Sequence, residues 1–248
     1  MTPTLLALDT ATDRLAAALL ASAGRWCVNE AGGASASARL IPVLMGLLQG
    51  AGLSMAQVQA VAFGCGPGAF TGLRTACAVA QGLAFANGTP VLAIDSLLIV
   101  ADDARQQARA AGDAGDGLWW VAMDARMDEA YAAAYRHGPG GWQVVVAPQL
   151  YTPGALAEVW HGAPAPRVAG SALTAFADRL HWGLASQWPQ CADRAAALLR
   201  LAEAAWAAGA AVSAEEALPL YLRDKVAQTT AERLAIRTAS AAAPGTAT

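Results

Sequence analysis

Ten consecutive residues, Cys65-Gly66-Pro67-Gly68-Ala69-Phe70-Thr71-Gly72-Leu73-Arg74, carry the strongest chemical signal in this 248-residue chain. They lie between a short apolar run, Ala60 to Gly64, that reads as a strand and an Ala-rich segment, Thr75 to Asn87, that reads as a helix. Gly66-Pro67-Gly68 turns the backbone sharply, because glycine tolerates positive φ and proline fixes its own. Thr71 then falls near a helix start, where unpaired backbone N–H groups and the helix dipole favour an anion. The same residues also suit an ordinary strand-to-helix turn, and the absence of Gly-Lys-Ser/Thr excludes a P-loop. Asp9-Thr10-Ala11-Thr12, closing the first apolar run, is a second candidate. A carboxylate there can hold Mg²⁺ through water beside a phosphate, or can serve only as a strand-end turn. Asp124-Ala125-Arg126-Met127-Asp128-Glu129 occupies the matching place in the second half, as a local ion-pair turn or as a wall of a cleft. The weak candidates for nucleotide binding are therefore Asp9, Thr10, Gly66, Gly68 and Thr71.

Other chemistry is sparse. His137, His161 and His181 lack ligand spacing and flank turn-like segments, so they read as surface histidines. Cys27, Cys65, Cys77 and Cys191 are far apart with no Cys-x-x-Cys, which argues for reduced, mostly buried thiols and against a zinc site or a disulfide framework. No catalytic set and no metal set can be assembled from neighbouring motifs. A net charge of −3 disfavours a free-standing nucleic-acid binder, since phosphate contacts need a basic surface. No uncharged apolar run reaches about 18 residues, and the chain opens on a strand-like Leu5-Leu6-Ala7-Leu8-Asp9, so the expected location is cytoplasmic, with no membrane contact.

A hydrophobic fraction of 56% with 14% charged residues describes a compact globular protein, and the order of strands and helices along it an α/β one with a mixed sheet. Residues 4–9, 14–21 and 25–29 read as strands, followed by a helix over 39–50, a strand over 60–65, the glycine turn, the helix over 75–87, a strand over 91–95 and a helix from Ser96 to about Ala111. Gly112-Asp113-Ala114-Gly115-Asp116-Gly117 reads as a flexible boundary between lobes. The pattern then restarts with strands over 118–123, 129–136 and 142–146. Helix 153–160, strand 167–169 and helices over 172–180 and 193–208 complete it. The expected organisation is an N-terminal lobe over 1–112, a smaller C-terminal lobe over 113–226 and a loose tail over 227–248. Both lobes open with a three-strand meander, which predicts a degenerate structural repeat.

The first helix carries an apolar arc of roughly 200°, twice that of a one-sided surface helix. Either it is sandwiched inside its own lobe or one flank meets another chain. Pro42 fits comfortably if this helix begins at Ile41 and awkwardly if it begins at Ala38. The helix over 75–87 is lined with small residues that would let a partner helix approach closely. The candidate interface comprises Leu40, Val43, Leu44, Leu47, Leu48 and Ala51 with Ala76, Ala80 and Leu83.

Leu6-Ala7-Leu8-Asp9-Thr10-Ala11-Thr12, Arg39-Leu40-Ile41-Pro42, the glycine-turn decapeptide, Met123-Asp124-Ala125-Arg126-Met127-Asp128-Glu129-Ala130-Tyr131 and Pro219-Leu220-Tyr221-Leu222-Arg223 together resemble the TsaB (YeaZ) family. These proteins are accessory subunits of the bacterial machinery that makes threonylcarbamoyladenosine in tRNA. The resemblance implies the two-lobed actin/Hsp70-like ATPase fold (ASKHA, RNase H-like), with mixed sheets flanked by helices. It implies a non-catalytic scaffold and dimerisation subunit whose partners are a TsaD-like catalytic subunit and a TsaE-like ATPase. ATP or ADP then binds, if anywhere, at the interface of the assembly. The acidic balance leaves tRNA to be met only through the complex. The apolar flank of the first helix, exposed without a partner, predicts a homodimer of the chain alone. Four positions depart from the family pattern toward less metal and nucleotide chemistry. Ala36 stands where a His is often retained, Thr10 follows Asp9 where a phosphate loop needs Gly, Ala69 replaces Ser and Cys65 replaces a frequent Arg. The rival expectation is an actin-like ATPase or a glycoprotease-type metallopeptidase.

Overall fold

The structure, a computed structural model, describes residues 2–162, 167–181, 183 and 185–223. The loose tail expected over 227–248 lies outside them.

The first sheet consists of β1 (Leu5–Asp9), β2 (Arg14–Ala21), β3 (Gly24–Ala31), β4 (Ala60–Gly66) and β5 (Val91–Asp95), in the order β3-β2-β1-β4-β5. β1, β2 and β3 form an antiparallel meander, while β4 and β5 add in parallel on the other side of β1. The second sheet consists of β6 (Gly117–Asp124), β7 (Ala130–Gly138), β8 (Gly141–Tyr151), β9 (Arg167–Ala169) and β10 (Ser186–Trp188), in the order β10-β9-β6-β7-β8. Exchanging β1 to β5 for β6 to β10 reproduces that order and every strand direction. The degenerate repeat expected from the sequence is thus present in the topology, and the α/β fold with two related mixed sheets agrees with the expectation.

Alternation along β1 explains why it reads as an unbroken apolar run. Leu6 and Leu8 point to one face, under α1 (Ala36–Gly50) and α2 (Phe70–Asn87), and Leu5 and Ala7 point to the other, under α3 (Ser96–Ala110) and α6 (Arg194–Ala207). A strand covered on both faces needs no polar side. On the second sheet, Trp120, Ala132 and Ala134 face α4 (Pro153–Gly162) and α5 (Ala172–Ala175), while Trp119, Val121 and Tyr135 face α3. Helix α3 is therefore the layer shared between the two sheets.

Several boundaries differ from expectation. α2 starts at Phe70, five residues early, because extended Ala69 (φ −62°, ψ 121°) ends the turn there. α1 starts at Ala36, which leaves Pro42 inside it. The carbonyl of Ala38, which Pro42 cannot bond, belongs to an exposed residue and can reach water. The helix expected over 172–180 is a single turn, and β8 runs on to Tyr151. The stretch over 112–117 is tied down instead of loose: Asp113 pairs with Arg167 at 2.8 Å and Asp116 with His137 at 2.8 Å. Beyond residue 193 the chain leaves the second sheet and returns to the first. α6 packs on the first sheet, and Val212 pairs with Val91. In space, residues 194–207 of the lobe expected over 113–226 lie with α3 on the apolar rear face of the first sheet.

Candidate functional site

The Asp9 carboxylate lies at the end of β1, fully buried. One oxygen accepts from the backbone N–H of Ala11 at 2.5 Å. The other accepts from Nη2 of Arg194 at 2.8 Å, and Arg194 is itself only 4% exposed. Arg194 opens α6, and its Nη2 also donates to the Ser96 carbonyl at 3.4 Å. Burial works against the guanidinium's charge, but Asp9 and Cys191 outweigh it and hold the Arg194 pKa above its usual value. A cation thus already occupies the place where the sequence suggested Mg²⁺, and it belongs to the chain. The sequence carries a trace of Arg194: with Asp193 it opens the apolar run Ala195-Ala196-Ala197-Leu198-Leu199. Nothing in the sequence places it opposite Asp9.

The glycine turn closes over the same strand end. The amide of Ala69 donates to the Ala11 carbonyl at 2.8 Å, and the Thr10 hydroxyl donates to the Gly72 carbonyl at 2.7 Å. A Cβ on Gly72 would lie 1.8 Å from the Thr10 carbonyl oxygen, and one on Gly64 would lie 2.0 Å from Asp9 Oδ2. Gly68 is pressed against Ala11 in the same manner, and Gly66, at φ +117°, against the carbonyl of Leu220. Asp9, Thr10, Gly66 and Gly68 are therefore brought together, but around the chain's own backbone. Thr71 is exposed in the first turn of α2, and its carbonyl accepts from the Thr75 hydroxyl. The turn glycines Gly68 and Gly72 pack directly on Ala11 and Thr10, and the Asp9 carboxylate faces Arg194. Among the described residues, no three His, Cys, Asp or Glu side chains are grouped to hold a metal ion. Gly72→Ala should destabilise the fold by about 3 kcal/mol or more through this backbone clash. Gly82→Ala, where a Cβ meets nothing within 4 Å, should stabilise it by about 1 kcal/mol. Chemical denaturation of both variants checks the contrast.

Two further groups at this junction were not foreseen. Asp95 caps α3 by accepting from the amide of Leu97 at 2.8 Å, and its Oδ2 accepts from the Tyr135 hydroxyl at 2.5 Å. Burial pushes the Asp95 carboxyl up despite these donors. Burial, with Asp95 and Asp9 nearby, pushes the Cys65 thiol up to about 12, so it is a neutral, unreactive thiol. Of the four cysteines only Cys77 is fully buried, and Cys27 is exposed. His137 is half-buried, with its ring edge-on to Trp142, and is not a plain surface residue. His181 is exposed, and the side chain of His161 lies outside the described residues.

The helical candidate needs reassignment of its residues. Leu40, Leu44, Leu47, Leu48, Ala76 and Ala80 are buried in the chain's own core, so they offer nothing to a second chain. Val43, Ala51 and Leu83 are half-buried at its margin. The apolar side chains that do face outward are Ile41 (47% exposed) and Met45 on α1 and Phe85 (82% exposed) on α2. Exposed Ala78 and Gly82 lie on the α2 surface beside Phe85. Of the two alternatives for α1, the sandwich describes its Leu stripe, and the open flank is the narrower one through Ile41 and Met45.

The family model described as TsaD, tRNA N6-adenosine threonylcarbamoyltransferase, matches residues 30–231. The chain is 32% identical to the tRNA threonylcarbamoyladenosine biosynthesis protein TsaB of Haemophilus influenzae, over 90% of this chain and 94% of that protein. It is 27% identical to the Escherichia coli TsaB, over 90% of this chain and 96% of that one. Among solved structures, YeaZ from Pseudomonas aeruginosa superposes with a TM-score of 0.76 at 38% identity, covering 89% of this chain and all of the other. Among the described residues no helix is long and apolar enough to cross a membrane.

Proposed function

Because this chain belongs to the TsaB (YeaZ) family of tRNA threonylcarbamoyladenosine biosynthesis proteins, it acts in that tRNA modification, and we propose that its part there is support without catalysis. The observation that carries this reading is the buried Arg194–Asp9 pair. An actin-like ATPase needs its strand-end carboxylate free to hold a hydrated cation against phosphate. Here that carboxylate is neutralised by a guanidinium, and the glycine turn rests on backbone atoms. A glycoprotease-type metallopeptidase would need a ligand set as well. The outward face of α1 and α2 supports the second half of the proposal, a docking surface for a TsaD-like catalytic subunit. Exposed apolar side chains on two helices in contact are costly to leave in water and are suited to burial by another helical pair. On this reading a TsaE-like ATPase joins the assembled pair, tRNA is bound by the complex, and ATP or ADP is held, if at all, between subunits. Without a partner, the same face pairs two copies about a two-fold axis.

Isothermal titration of the purified chain with ATP and Mg²⁺ tests the catalytic half. We expect no saturable heat and no phosphate release. Submicromolar binding with turnover would mean that the Arg194–Asp9 pair opens, and the supporting role would be wrong.

A further inference from the structure

The turn between β6 and β7 is the most strained backbone among the described residues. Arg126, Met127 and Asp128 are consecutive non-glycine residues at φ 60°, 54° and 65°. A single residue in the left-handed region is disfavoured by its Cβ, and three in a row persist only where the surroundings impose them. The turn's own bonds are few. Ala125 N–H donates to the Glu129 carbonyl at 2.9 Å, Glu129 N–H to the Arg126 carbonyl at 3.2 Å, and Arg126 N–H to Asp124 Oδ1 at 2.8 Å. The Asp128–Arg179 pair is exposed on both sides and holds little. The group that closes the turn comes from the far end of the chain. Arg223 pairs with the Glu129 carboxylate, donates to the Arg126 carbonyl at 3.1 Å and rests against Met127 Sδ at 3.4 Å.

The segment that delivers Arg223 is anchored along α2 of the first lobe. The Ala217 carbonyl accepts from Cys77 Sγ at 3.2 Å and from Gln81 Nε2 at 3.0 Å, two α2 residues one turn apart. Leu220 N–H donates to the Cys65 carbonyl at 2.7 Å. The Tyr221 ring lies 5.3 Å from that of Phe70, and its hydroxyl accepts from Arg74 Nε at 3.3 Å. Arg74 in turn covers the Phe70 ring at 3.9 Å. Residues 217–221 thus follow the flank of α2 from its middle to its first turn, and two residues later the same strand of chain grips the strained turn of the second sheet.

We propose that Ala217–Arg223 is a coupling strap, which holds the left-handed turn in shape from α2 so that a displacement at the outer end of α2 is registered at residues 126–128. The docking reading above supplies what would displace α2; the coupling itself belongs to the single chain and is measured without a partner. Hydrogen exchange at the Ala125 and Glu129 amides of the full-length chain reads the opening of the turn, and exchange at Leu8 in β1 reads global unfolding. Arg223→Gln should accelerate exchange at the two turn amides about tenfold or more with Leu8 unchanged, since charge-assisted bonds are lost only at the turn. Arg74→Ala, which touches no turn residue, should accelerate them about threefold by loosening Tyr221. Added to Arg223→Gln, it should do nothing further, because the strap is already detached. Tyr221→Phe, which keeps the ring packing, is the milder second variant and should act in the same direction as Arg74→Ala. Unchanged turn exchange in Arg223→Gln would show the turn to be self-supporting. An Arg74→Ala effect that is absent, or equal in both backgrounds, would show that the strap transmits nothing. Either result overturns the proposal. Failure of partner docking at Ile41 and Phe85 would leave these exchange rates as they are.

Discussion

An Arg194→Met chain is expected to unfold with about 3–5 kcal/mol less stability than the parent, the usual result of stripping one partner from a buried ion pair. The magnitude follows from where Asp9 sits. With no exposed surface and only the Ala11 amide left as a donor, its carboxylate would be left buried without a partner charge. Asp9→Asn alone should cost a similar amount, because it leaves the guanidinium buried against a neutral amide. From the sequence, Asp9 as a strand-end turn or metal ligand is expected to tolerate that change. The Asp9→Asn, Arg194→Met double variant should recover most of the loss, since two neutral side chains of similar volume avoid both desolvation penalties. Denaturant titration of the four proteins gives the cycle directly. If the single variants are as stable as the parent, the pair is not buried as described, and the case against a metal-phosphate site falls with it.

The second expectation concerns association. Ile41→Asp and Phe85→Asp should leave the fold intact, because both side chains face outward, yet weaken binding to a TsaD-like subunit about a hundredfold or more. Leu44→Asp should instead unfold the protein. It is fully buried beneath the first sheet, where an unpaired carboxylate costs several kcal/mol, about half of an ordinary domain's stability. In the absence of partner, sedimentation should show a dimer at about micromolar concentration for the parent and a monomer for Phe85→Asp. Added TsaD-like subunit should then convert the parent homodimer into a heterodimer, because both contacts compete for one face. Circular dichroism separates dissociation from unfolding. Tight binding by both folded variants would place the interface elsewhere, and a species keeping the homodimer contact while bound to the partner would end the competition model.

What the sequence determined by itself was the order of elements and the kinship. Period-two apolar runs, glycine turns and helix lengths depend on neighbours a few residues away, so β1 to β5 and the opening meander of the second lobe were legible, as was the repeat. The five motifs carried the family in part because Gly68 and Gly72 lie so close to Ala11 and Thr10 that no side chain fits there. The tertiary structure alone decided what those motifs do. Asp9 reads equally well as a magnesium ligand or as a strand-end turn until Arg194, 185 residues away, is brought against it. The Leu stripe of α1 reads equally well as core or interface until the sheet covers Leu40, Leu44, Leu47 and Leu48 and leaves Ile41 and Met45 outside. Charge neutralisation and burial are properties of contacts between distant segments. Local periodicity says which face of a helix is apolar but not how much of it the fold will cover.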